Sequence, residues 1–141
     1  RLDYTGAMFN VGGSFFTGDA GQGVDGEDVS TMVAEIHAGV NYQGFSLKGL
    51  YAINEIDDAS GEASTEGQGY YVNAGYAIGD FTPFAQYEAY TTDKDQDDIK
   101  IATLGLNYKP TPNVVLKANY VMYDKRGTDD DRFELGMGYN F

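Results

Sequence analysis

Cysteine and tryptophan are absent from this chain, proline occurs three times, and nine lysines and arginines stand against 22 aspartates and glutamates. The missing thiols exclude a disulfide framework, a thiolate metal site and a cysteine nucleophile. Phosphate recognition needs clustered Lys and Arg, and with a net charge of −13 this chain has no such surface, so nucleic acid is not an expected partner. The sole histidine, His37, excludes a multi-histidine metal site within one chain, and no cofactor is expected. No run of eighteen apolar residues occurs, which excludes a transmembrane helix. The residues after Arg1 lack the charged-then-apolar order of a secretory leader, and any such leader is expected to have been removed.

What the chain has in excess is Gly, Tyr and Phe, at 19, 12 and 8 of 141 residues, a bias towards strands and tight turns. Its length suits a single domain over 1–141. The dominant pattern is alternation with period two, repeated eight times in segments close to the ~9–11 residues a tilted strand needs to cross a bilayer. Strands are expected near 6–16, 29–42, 45–56, 69–78, 81–91, 99–109, 114–123 and 132–141. In the second, Met32, Ala34, Ile36, Ala38, Val40 and Tyr42 oppose Thr31, Glu35, His37, Gly39 and Asn41; in the last, Phe133, Leu135, Met137, Tyr139 and Phe141 oppose Arg132, Glu134 and Asn140. Across about forty positions of the apolar phase no charged residue is read, where a chain 22% charged would place about nine by chance. The other phase favours Asn, Thr, Ser and Gly rather than the Lys and Glu of a water-soluble sandwich.

Connections alternate between long and short. Residues 17–28, 57–68, 92–98 and 124–131 are long and polar, whereas Gln43-Gly44, Gly79-Asp80 and Lys109–Asn113 are tight. A transmembrane barrel with long loops outside and short periplasmic turns has this rhythm, which places the C-terminus on the periplasmic side. Aromatics gather at strand ends, Tyr42, Phe45, Phe81, Tyr108, Tyr139 and Phe141 by the short turns and Phe15, Tyr51, Tyr70, Tyr87 and Phe133 by the long loops, as two interfacial girdles would. Pro83 cannot donate a ladder hydrogen bond, so a bulge or a missing bond is expected there.

The closing Arg132-Phe-Glu-Leu-Gly-Met-Gly-Tyr-Asn-Phe141 resembles the C-terminal signature of outer-membrane proteins, with Phe141 last and Tyr139 two residues before it. The resemblance implies that these two residues are read by the barrel assembly machinery. Gly75-Tyr76, Phe81-Thr-Pro-Phe-Ala-Gln-Tyr87, Leu104-Gly-Leu-Asn-Tyr-Lys-Pro110 and Asn113-Val-Val-Leu-Lys117 are similar to Gram-negative porins, most of all to the phosphate-selective porin O and P group. That resemblance implies a sixteen-stranded, trimeric barrel of which this chain is the C-terminal half, set in outer-membrane lipid and lipopolysaccharide. The alternative is a complete eight-stranded barrel with an adhesion, anchoring or defence role.

On the polar faces, Glu35, His37, Lys48, Glu88, Lys117, Arg132 and Glu134 are expected to line a lumen. Three bases balance three acids there, so the basic ladder associated with phosphate selectivity is absent from this half. No catalytic residue is expected. His37 could serve a barrel hydrolase beside a nucleophile, but its surroundings mark none, and a hydrogen-bonding role is the stronger expectation. The long loops hold sixteen of the 22 acidic residues, a rim that could gather Ca²⁺ or Mg²⁺. Asp93, Asp95 and Asp97 imitate an EF-hand opening, yet Asp98 and Leu104 occupy the places of its Gly and its Glu. Gly21-Gln-Gly-Val-Asp-Gly26 is read as a loop and not as a nucleotide site, because no helix follows it.

Overall fold

The computed structural model describes residues 1–19, 30–57, 64–92, 98–125 and 128–140. They form one antiparallel sheet in which neighbours in sequence are neighbours in space. Its strands are β1 (Leu2–Thr5), β2 (Phe9–Asp19), β3 (Ser30–Tyr42), β4 (Phe45–Asp57), β5 (Ser64–Tyr76), β6 (Phe81–Thr91), β7 (Ile99–Thr111), β8 (Val114–Lys125), β9 (Thr128–Asp129) and β10 (Arg132–Tyr139). The two-residue β9 folds back on the end of β8, and β10 then runs beside β8. Among the described residues β10 pairs with neither β1 nor β2, so the sheet has two free edges.

Directly opposed residues share a face. One row of direct partners, Phe9, Val40, Leu47, Ala74, Ala85, Leu104, Tyr120 and Phe133, crosses eight strands without a polar side chain other than the tyrosine. This apolar face is the exposed one: Leu104 is 56% and Met137 75% accessible, while Ala89 and Val121 are the only buried hydrophobic residues among those described. A water-soluble sheet does the reverse, burying its apolar face against another layer. Here the polar phase is the half-buried one, as on the inside of a curved sheet, and among the described residues no element covers the apolar phase. A continuous apolar exterior of this extent is stable against hydrocarbon and not against water.

The tight connections have a local cause. Between β3 and β4 the chain turns in two residues, Gln43 and Gly44, both with positive φ (47° and 85°). That is the backbone whose twist matches the flanking strands, and only a residue without a Cβ adopts the second angle freely. Aromatic side chains mark both rims of the apolar face. Phe81 stacks on Tyr108 at 4.6 Å by the short turns, and Tyr70 meets Tyr87 at 6.2 Å by the long loops. At that second rim the Tyr51 and Tyr120 hydroxyls donate to Gln68 Oε1 (2.9 Å) and Asp131 Oδ2 (2.8 Å), the polar tip of an amphipathic ring turned towards water.

Three expectations are corrected and one is narrowed. The sheet contains a further strand, Leu2–Thr5, paired with Asn10–Gly13 of β2, so the principal strands number nine and not eight. Residue 64, inside an expected loop, already belongs to β5, because Asp57 and Ser64 continue the ladder outward from the apolar band. Strands that project into water need no apolar residues, so periodic hydrophobicity stops before the hydrogen bonds do. The charge-free phase accordingly ends towards the long loops, where Glu55, Glu66, Lys100 and Asp124 occupy it. At Pro83 the missing bond and not the bulge is found: the β5–β6 ladder ends one residue short of it, at Gly75 opposite Phe84, while the register to β7 is unbroken there and shifts only between Tyr108 and Thr111.

The exposed apolar face yields a direct test. Leu104→Arg should lower folding stability in lipid vesicles by about 2–4 kcal/mol, read from urea titration of the folded fraction, whereas Thr103→Arg on the opposite face should fall well short of this loss. Equal effects would contradict a lipid-facing exterior.

Candidate functional site

The polar face carries the chemistry. All seven residues expected there, Glu35, His37, Lys48, Glu88, Lys117, Arg132 and Glu134, share it through the register. They are not one cluster. One row of direct partners reads Asp3, Gly12, His37, Leu50, Tyr71, Glu88, Ile101 and Tyr123. The row beside it, towards the short turns, reads Asn10, Gly39, Lys48, Asn73, Gln86, Thr103, Val121 and Arg132.

Three polar groupings result. On β1 to β3, His37 Nε2 lies 3.0 Å from Asp3 Oδ1 and Nδ1 lies 3.1 Å from Glu35 Oε2, while Arg1 Nε donates to Asp3 Oδ2 at 2.7 Å. Asp3 and His37 are two strands apart, and they meet because Gly12 stands between them. A Cβ on Gly12 would fall 2.4 Å from Asp3 Oδ1 and 2.7 Å from His37 Nε2. On β5 and β6, Asn73 Nδ2 donates to Gln86 Oε1 (3.1 Å) and Gln86 Nε2 to Glu88 Oε2 (2.9 Å). On β10, Arg132 Nε donates to Glu134 Oε1 at 2.6 Å, with the guanidinium 6.0 Å from the centre of the Tyr123 ring. Lys48 and Lys117 form no ion pair among the described residues.

This arrangement fixes local dipoles along a wall. It does not assemble a hydrolytic centre: each nitrogen of His37 faces a carboxylate, and neither is left facing a hydroxyl that it could deprotonate. Among the described residues no group of three acidic or histidine side chains is placed to hold a metal ion. The glycine-rich stretch 21–26, the Asp93–Asp97 stretch and much of the acidic loop content lie outside the described residues, as does Phe141. Tyr139 points outward from the apolar face beside Val114.

Two parts of the face escaped the sequence. Asp3 sits on a strand of four residues, with Arg1 just before it, too short to register as a period, although Leu2-Asp3-Tyr4-Thr5 does alternate. Tyr71, Phe84, Tyr90 and Tyr123 belong to the polar phase, and the only signal for them is an aromatic placed where the period requires a polar residue, as in Tyr70-Tyr71.

The sequence model of the family described as Gram-negative porin matches residues 1–129. No curated protein matches the chain. A solved porin, its structure refined at 1.8 Å resolution, superposes with a TM-score of 0.63 over 99% of this chain at 15% sequence identity. At that identity the likeness speaks for the fold. This chain spans 60% of the length of that porin.

The glycine between Asp3 and His37 can be tested separately from the fold. Both side chains can swing aside, so Gly12→Ala should leave the barrel folded but part the pair. A double-mutant cycle on Asp3→Asn and His37→Gln should then show coupling in the parent and none in the Gly12→Ala background.

Proposed function

Because the chain belongs to the Gram-negative porin family, we propose that it forms part of the wall of a water-filled outer-membrane channel through which small hydrophilic solutes diffuse passively. Family membership supports an outer-membrane location and a channel role over an enzymatic one. The observation that carries the proposal is the segregation of the two faces. Every charged side chain in the middle of the sheet sits on the half-buried face, and the opposite face offers hydrocarbon-compatible side chains between two aromatic rims. The free edges of β1 and β10 support a wall continued by further strands into a larger barrel, which we take to be sixteen-stranded and trimeric. In a closed eight-stranded barrel β2 would receive β10, yet part of that edge of β2 is taken by Leu2–Thr5, which speaks against the small-barrel alternative.

We assign the long loops to the extracellular side and the C-terminus to the periplasm, with lipopolysaccharide against the outer rim and Tyr139 and Phe141 as the assembly signal. Selectivity is set by short-range pairs. Asp3, Glu35 and Glu134 each contact a basic group, so that of the seven polar-face residues named above Lys48, Lys117 and Glu88 keep uncompensated charge. Two lysines on separate strands make no basic ladder, so the reading is a weakly selective channel and not a phosphate-specific one. The acidic loops would favour cation entry further, an effect that divalent cations gathered there would weaken.

Planar-bilayer recording of the full-length protein tests this. We expect stable KCl conductance with a reversal potential near zero or slightly cation-favouring in a salt gradient, and a shift towards cations in Lys48→Glu/Lys117→Glu. Strong anion preference in the parent would refute weak selectivity, and absence of conductance would refute the channel.

A further inference from the structure

The polar face carries an aromatic patch with one carboxylate at its centre. Tyr71, Glu88 and Ile101 are direct partners on β5, β6 and β7, and Tyr123 stands opposite Ile101 on β8. Tyr90 follows Glu88 by two residues on the same face, and Tyr90 on β6 and Tyr123 on β8 flank β7 from either side. Glu88 is thus bounded by phenol rings towards β5 and towards the long-loop end, with an isoleucine beside it. Its Oε2 accepts from Gln86, which fixes the carboxylate without neutralising it. Asp3, Glu35 and Glu134 all touch a basic side chain, but Glu88 touches none among the described residues; Lys48 and Lys125 stand two strands away on either side.

We propose that this patch is a binding station for organic cations, with the ammonium group at Glu88 and its apolar body against the rings of Tyr71, Tyr90 and Tyr123. The inference rests on the channel reading for its consequence, a raised local concentration of such solutes on the wall, but not for the binding itself. A carboxylate compensates the charge, and aromatic faces attract a cation through their quadrupole. A divalent metal ion fits poorly, since Ca²⁺ and Mg²⁺ draw on six or more oxygens and one carboxylate with neutral phenols supplies too few. An alkali ion gains nothing from Ile101, whereas an alkyl or aryl substituent does. The station is open to water, so release is fast, as conduction requires.

The test uses the full-length protein in planar bilayers, with phenyltrimethylammonium chloride added to KCl. The parent current should fall with rising concentration of this probe. Glu88→Gln, which keeps the shape and removes the charge, should raise the half-blocking concentration about tenfold, and Tyr71→Leu about threefold. Glu55→Gln, on the apolar face, should not change it. Heat-modified migration on gels verifies that each variant is folded. A conducting parent that is not blocked, or is blocked equally in Glu88→Gln, overturns the station and leaves the channel standing. A parent without KCl conductance removes the channel instead, and saturation-transfer NMR of the same probe on detergent-solubilised protein then decides. Transfer lost in Glu88→Gln upholds the site, and equal transfer in the two proteins overturns it.

Discussion

The interstrand hydrogen bond is the interaction on which everything else in this chain depends. A sheet with an exposed apolar face and only two buried hydrophobic residues among those described has no core to hold it together, and hydrocarbon offers no partner for an unpaired backbone group. Each strand must therefore pair along its length within the membrane, and the ladders from β2 to β8 do so with a single irregularity. Pairing fixes register, and register decides which side chains stand together on each face. Glu35 and His37 face the same side as Glu88 for the same reason that Ile36 and Tyr87 face the other.

Much of this was legible from the sequence because the bilayer imposes a period that composition cannot hide. The phase of every expected strand agrees with the register: Phe9, Val40, Leu104 and Phe133 share one face, and Lys48, Lys117 and Arg132 the other. What escaped had a physical reason in each case. Leu2–Thr5 is too short to show a period. The start of β5, Ser64-Thr-Glu-Gly-Gln, carries no apolar signal because the ladder there runs beyond the apolar band. Tyr90 on β6 and Tyr123 on β8 share the polar face across an intervening strand though 33 positions apart, a relation that no local pattern contains.

The polar face is also organised at a finer scale than charge counting suggests. Acids and bases nearly balance along it, yet they are sorted into contacts: Arg132 with Glu134 on one strand, His37 between Glu35 of its own strand and Asp3 two strands away, and Glu88 held by an amide. Small residues in the register make room for these contacts. The Phe84 ring lies over Gly105 in the same way that Asp3 and His37 meet over Gly12. The field over this face is accordingly a sequence of local dipoles and not the sum of their charges.

The strict two-residue alternation also limits how such a wall can change over time. One residue inserted within β7 would turn Leu104 inward and Thr103 outward, together with every neighbour beyond the insertion, so length changes inside strands are lethal to both faces at once. Substitutions on the polar face carry no such penalty, because each side chain there answers only to its few cross-strand neighbours. Diversification is thereby channelled into two routes, point exchange on the polar face and loop growth at the rim, and the chemistry of that face is free to drift while the frame stays constant.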